Sequence, residues 1–225
     1  MSELSRETLK LAATDFLYLL DRGYPRAASL QLVGNRYNLD RLHRDCLHRG
    51  VFAQREAEER RTRLVRPEQL VHSSLLVDGH NVLITIESCL AGRLVIAAND
   101  GVIRDVAGIS HRYRISTLTH EAIDLLFQVL RNYPPNETLL FLDSPIRQSG
   151  ELAALLRTEL NKWNLSGDAL ALKVPEVRLF GAEGIVASSD SAVLARVKKG
   201  IDLPAVVIDS LPQRPYLIDF ISSGD

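Results

Sequence analysis

Along residues 1–52 the apolar positions recur at helical steps. Leu9, Ala12, Ala13, Phe16, Leu17, Leu19 and Leu20 fall mostly three and four residues apart, and Gly23 stands where such a helix stops. Pro25 suits the first turn of a second helix carrying Ala28, Leu30, Leu32 and Val33, with Gly34-Asn35 to close it. Leu39, Leu42, Cys46 and Leu47 predict a third, ended by Gly50. Three short helices with glycines at the corners predict a small all-α, helix-turn-helix-like module. Residues 55–66 (REAEERRTRLVR) carry five Arg and three Glu, and predict a solvated helix or linker with Glu–Arg pairs one turn apart. The boundary is placed near residue 70, giving parts 1–70 and 71–225.

From residue 73 the pattern changes. LLVDGHNVLI, LVIAAND and TLLFLDSP read as strands, VRLFGAEGIVASSD holds one or two more, and PAVVIDS and PYLIDF follow. Helical segments lie between them over Thr119–Asn132, Gly150–Asn164 and Asp190–Lys199. Short continuous apolar runs alternating with helices predict an α/β domain, its mostly parallel sheet covered on both faces in three layers.

Composition narrows the class. The 225 residues are 46% hydrophobic, enough to bury a core, and no apolar run approaches the ~18 residues of a membrane span. The polar start MSELSRETLK has no apolar signal core, so a cytoplasmic protein with no membrane partner is expected. Cys46 and Cys89 are too few for a disulfide framework and lack the spacing of a zinc site. The net charge of −1 conceals an asymmetry. Residues 1–70 hold 13 Lys+Arg against 10 Asp+Glu, which leaves 14 against 18 for the remainder. Within Arg22–Arg49 six arginines face two aspartates, and Arg36, Arg41, Arg44 and Arg49 are the expected nucleic-acid contacts.

The acids of the second part fall at the ends of the apolar runs. Asp78, Asp100, Asp143 and Asp209 each close one, and Asp190 follows IVASS. Ligands of open parallel sheets bind at the carboxyl ends of the strands, where such residues would converge. Clustered carboxylates repel unless cations neutralise them, and Mg²⁺ or Mn²⁺ are the hard cations that oxygen ligands prefer. Metal-assisted phosphodiester hydrolysis is the chemistry this pattern suggests. Other readings stand beside it: Asp190 equally suits a helix N-cap, Asp143 and Asp209 suit turns, and Asp100-Gly101 suits a hairpin. His80 and Asn81 sit at the mouth of the expected site, Asn81 placed to orient Asp78. Glu87 lies one or two helical turns on.

The motif Asp78-Gly79-His80-Asn81 between apolar runs resembles the first strand of PIN-like nuclease domains, especially the NYN branch, and Asp190 in ASSDSAVL resembles their late acid. The whole chain resembles a prokaryotic family in which a helical domain of unknown function precedes such a domain. The resemblance implies a PIN-like, Rossmann-like fold and a metal-dependent nuclease, acting on RNA rather than DNA. Asp78, Asp143 and Asp190 would be its catalytic metal ligands and Asp209 a further one, with His80, Asn81, Glu87 and Asp100 around them. The acid that active members carry on the helix before the middle strand has only Glu121 or Asp124 as an equivalent here. An incomplete carboxylate set implies instead a protein that binds nucleic acid without cutting it. A homodimer is left open.

Overall fold

The computed structural model describes residues 3–106, 113–212 and 215–221. Four helices come first: α1 (Glu3–Asp21), α2 (Arg26–Arg36), α3 (Arg41–Gly50) and α4 (Gln54–Arg61). Leu9, Ala12, Ala13 and Phe16 of α1 are buried, one stripe at steps of three and four, and they meet Val33, Cys46 and Leu47. Burial of side chains such as Phe16 and Leu47 stabilises the unit by roughly 1.5–3 kcal/mol each. Asp40 caps α3 by accepting from the His43 N–H at 2.9 Å. The charge-dense stretch is helical, with Arg55 and Glu59 paired at 3.0 Å one turn apart, but it is not wholly solvated. Ala57 and Arg60 of α4 are buried.

After a 3-10 turn at Pro67–Leu70 the α/β part begins. Its elements are β1 (Ser74–Asp78), α5 (Gly79–Leu90), β2 (Val95–Ala97), β3 (Ile103–Asp105), α6 (Thr117–Asn132), β4 (Glu137–Asp143) and α7 (Ser149–Lys162). They are followed by β5 (Gly167–Leu172), α8 (Glu176–Leu179), β6 (Ile185–Ala187), α9 (Ser191–Leu194), β7 (Gly200–Ile201), α10 (Leu203–Asp209) and β8 (Leu217–Asp219). Five strands form a wholly parallel sheet in the order β5-β4-β1-β6-β7. Alternate side chains divide between its faces. Leu75, Val77, Leu140, Leu142, Ile185 and Ala187 face α5, α6, α7 and α10, whereas Leu76, Leu139, Phe141 and Val186 face α8 and α9. The mixed α/β class with a helical N-terminal part is as expected.

Several elements differ from the sequence reading: β5 has no counterpart in it, and of the helix expected over Asp190–Lys199 only Ser191–Leu194 is helical. PAVVIDS is not a strand: Asp202 accepts from the Ala205 N–H and caps a helix with Pro204 in its first turn, so this apolar run forms α10. The LVIAAND strand does not join the main sheet. As β2 it pairs antiparallel with β3 through the Asp100-Gly101 turn and parallel with β8, making a separate three-stranded sheet. VRLF is the short helix α8. The helical module packs on the small sheet through Ile96, Val106, Ile218 and Phe220. Among the described residues no helix is long and apolar enough to cross a membrane.

Candidate functional site

In the five-stranded sheet β1 is central. The chain runs from β1 to β4 and β5 on one side, then crosses back to β6 and β7 on the other. The strand order therefore reverses at β1, which is where parallel sheets place their ligands. Register brings Asp78 opposite Phe141, so Asp143 lies two residues beyond on the adjacent strand. On the other side Val77 pairs with Ala187, putting Ser188 beside Asp78 and Asp190 just past it. Asp143, Asp78 and Asp190 thus stand at the carboxyl ends of three neighbouring strands. Helix α5 starts immediately at Gly79, which packs so closely on β4 that a Cβ there would meet Leu142 Cδ2 at 2.7 Å and the Phe141 carbonyl oxygen at 3.0 Å.

Asp78 is 4% exposed. Its Oδ2 accepts from Asn81 Nδ2 at 2.6 Å and from Ser188 Oγ at 2.8 Å. Burial pushes its pKa from 3.8 up to about 6, against the two hydrogen bonds, and the charges of Asp143 and Asp190 push the same way. Ser188 Oγ also accepts from the Asp190 N–H at 3.0 Å, tying the third acid to the first. Asp190 caps α9, its Oδ1 accepting from the N–H groups of Ala192 at 2.6 Å and Val193 at 3.3 Å. Asp143 is half-buried and its backbone N–H donates to His80 Nδ1 at 3.0 Å. The same Nδ1 lies 3.3 Å from Asp143 Oδ2, and the other ring nitrogen is Nε2. That Nε2 is buried without a hydrogen-bond partner, beside the ring of Tyr113. The Tyr113 hydroxyl donates to Glu87 Oε1 at 2.9 Å, and burial raises the pKa of Glu87. Glu87 and His80 thus form a buried polar layer beneath the acids.

The other predicted acids lie elsewhere. Asp209 is an exposed residue at the end of α10, not at a strand end. Asp100 is fully buried, and both of its oxygens accept from Arg104, at 2.7 and 2.8 Å, while Arg60 Nε donates to Oδ2 at 2.8 Å. Such a carboxylate is occupied by guanidinium groups. Among the described residues no group of three or more His, Cys, Asp or Glu side chains is arranged to hold a metal ion.

Above the sheet ends opens a cleft of about 1390 Å³, walled on one side by α2, α3 and α4 and on the other by Asn81, Arg104 and residues 189–195. Six arginines line it: 26, 41, 49, 60, 63 and 104. Four acids do so as well, Asp45, Glu56, Glu59 and Asp190, leaving an excess of two positive charges in a chain of net charge −1. Of the arginines expected from sequence, Arg41 and Arg49 line the cleft. Arg44 folds back on α2, donating to the Leu39 carbonyl and to Asn35 Oδ1, and Arg36 pairs with Asp15 at 3.5 Å. Arg26, Arg60, Arg63 and Arg104 were not among the predicted contacts. Arg60 sits within a charge run that reads as solvated, and Arg104 has no local signal at all.

The family described as "Domain of unknown function (DUF5616)" matches residues 67–206, more than half of the chain. The chain belongs to the DUF5616 family. Ahead of the DUF5616 region, residues 8–63 match a second family, "Protein of unknown function (DUF434)". An uncharacterized protein of Methanocaldococcus jannaschii is 28% identical over 209 residues, covering 92% of this chain and 100% of its own length. No solved structure matches. Neither family description names a PIN-like domain or an activity, so what this DUF5616 chain does is argued from its site.

Proposed function

We propose that the protein binds nucleic acid, with the phosphate backbone lying along the arginine-lined cleft between the helical module and the sheet ends. The observation that carries this reading is the cleft itself. It is larger than the roughly 300–1,000 Å³ of small-molecule pockets and has six arginines in its walls. Guanidinium groups suit phosphate because they donate in a planar fork and remain charged at any physiological pH. RNA is preferred to DNA here only through the resemblance to PIN-like ribonucleases. The test is fluorescence anisotropy with a single-stranded RNA across salt concentrations. Binding should weaken steeply with salt, and replacing Arg41 and Arg49 by Ala should flatten the log–log slope by about 1.4, two phosphate contacts at about 0.7 each for a single strand. Binding unaffected by salt, or no binding at 50 mM salt, would remove this reading.

A second reading, hydrolysis of the bound phosphodiester, is favoured by one further observation. Asp78, Asp143 and Asp190 stand at the ends of adjacent strands, the latter two raise the proton affinity of Asp78, and Asn81 and Asp190 open onto the cleft. Mg²⁺ or Mn²⁺ is the cofactor this reading calls for. Among the described residues these carboxylates as arranged do not form a three-ligand site. Cleavage of labelled RNA on addition of Mn²⁺, abolished by EDTA and by Asp78→Asn, is the expected result. Equal cleavage by the variant would remove these acids from the chemistry.

A further inference from the structure

The deep end of the cleft holds a buried donor that its own side chains do not satisfy. Three guanidinium groups converge on the Phe52 ring, Arg60 at 4.1 Å from its centroid, Arg26 at 4.8 Å and Arg104 at 5.0 Å. The acids around them are Asp100, buried and bonded to both Arg60 and Arg104, Glu56 on the exposed side of Arg60, and buried Asp202, whose charge also acts on Arg104. Arg104 is fully engaged, by Asp100 and by the Ser189 carbonyl oxygen at 2.7 Å. Arg26 is held by the carbonyl oxygens of His48 and Val51 and by His48 Nδ1. Arg60 differs. Its side chain is only 6% exposed, Nε is bonded to Asp100, and Nη2 is buried with no hydrogen-bond partner. The carboxylate of Glu56 stands off at 3.8 Å from Nη2 and is itself 60% exposed. A buried guanidinium N–H left without an acceptor is costly, and native folds keep such groups where something else completes them.

Resting on the nucleic-acid reading above, we propose that this recess is a phosphate site that takes the terminal phosphate monoester of a nucleic-acid strand. The class of ligand follows from charge and access. A phosphodiester inside a strand carries one charge and must leave the site in two directions. A terminal monoester approaches two charges near neutral pH and reaches a nearly buried donor through a single attachment. Its oxygens supply the acceptor that Arg60 Nη2 lacks, while Arg26, fixed on backbone carbonyls, needs no reorganisation to face it. Glu56 competes for the same N–H group.

Three versions of one short RNA sequence distinguish the sources of that phosphate: a 5′-phosphate, a 3′-phosphate, and hydroxyls at both ends, each bound to the full chain in EDTA and followed by anisotropy. One of the phosphorylated strands should bind about tenfold or more tighter than the unphosphorylated one, the scale of one charge-assisted hydrogen bond. Glu56→Gln, a change at an exposed side chain, should widen the difference, and Arg60→Lys should abolish it. Because Arg60→Lys alters a buried ion pair, the wild-type melting temperature is measured as well, in inorganic phosphate against chloride at equal ionic strength. Phosphate should raise it. Three strands binding equally tightly, without stabilisation by phosphate, would overturn the terminal-phosphate site and leave the cleft reading standing. No RNA binding together with stabilisation by phosphate would overturn the cleft reading and the strand-end ligand, leaving an anion site for free phosphate. Neither effect would overturn both.

Discussion

The pKa of Asp78 turns into a prediction about stability with a definite sign. In the unfolded chain the carboxyl titrates near 3.8, and in the fold it is raised to about 6. Between those values the folded state holds the proton more tightly, so stability falls as pH rises through the window and is level above it. At pH 7 the ionised carboxylate costs about 3 kcal/mol, from 1.36 kcal/mol for each pH unit of displacement. Asn at this position is nearly isosteric, its carbonyl oxygen can accept from both Asn81 and Ser188, and it carries no charge to bury. Asp78→Asn should therefore stabilise the protein, by little at pH 4 and by about 2 kcal/mol more at pH 7 than at pH 4. Urea denaturation of both proteins at pH 4, 5.5, 7 and 8, followed by circular dichroism, isolates the effect, because every other titrating group is common to the two. In a thermal melt the widening corresponds to about 4–8 °C for a chain of this size. A difference that stays constant with pH, or a variant less stable at pH 8 than at pH 4 relative to wild type, would refute the argument. If it holds, the fold keeps an ionised acid at the sheet end against its own stability, a pattern associated with function rather than packing.

Asp100→Asn should destabilise the protein by about 3–5 kcal/mol at neutral pH, since it strands two buried guanidinium groups; a loss under 1 kcal/mol in chemical denaturation would mean that solvent reaches the cluster. Ser188→Ala removes one of the two hydrogen bonds that hold Asp78 towards its ionised form, so the Asp78 carboxyl titration, read by carbon NMR, should move above its wild-type midpoint of about 6. A midpoint moving down would show that the serine does not favour the charged form.

The legible parts of the molecule are those written in local periodicity. The stripe of Leu9, Ala12, Ala13 and Phe16 and the runs ending at Asp78 and Asp143 appear in the structure as α1, β1 and β4, because each buries the face its spacing defines. Asn81 bonds Asp78 as its position in the motif suggests. PAVVIDS misleads because four apolar residues suit a buried helix as well as a strand, and only the Asp202 cap with Pro204 decides between them. Asp100 misleads for another reason. Its partners Arg60 and Arg104 come from α4 and β3, a meeting of elements that charge counting along the chain cannot anticipate. The same holds for the cleft, whose buried Arg60 lies in a run that reads as solvent-facing.

The helical module rests on a surface completed by a strand far from it in the chain. Strand β8 pairs with β2, and its Ile218, with Phe220 just beyond, belongs to the same apolar cluster as Phe16 and Leu47. Without residues 218–220, one side of the helical module's core would stand uncovered. Residues 9–51 and 218–220 share one core, so damage at either is expected to loosen the other and, with it, the arginine wall of the cleft.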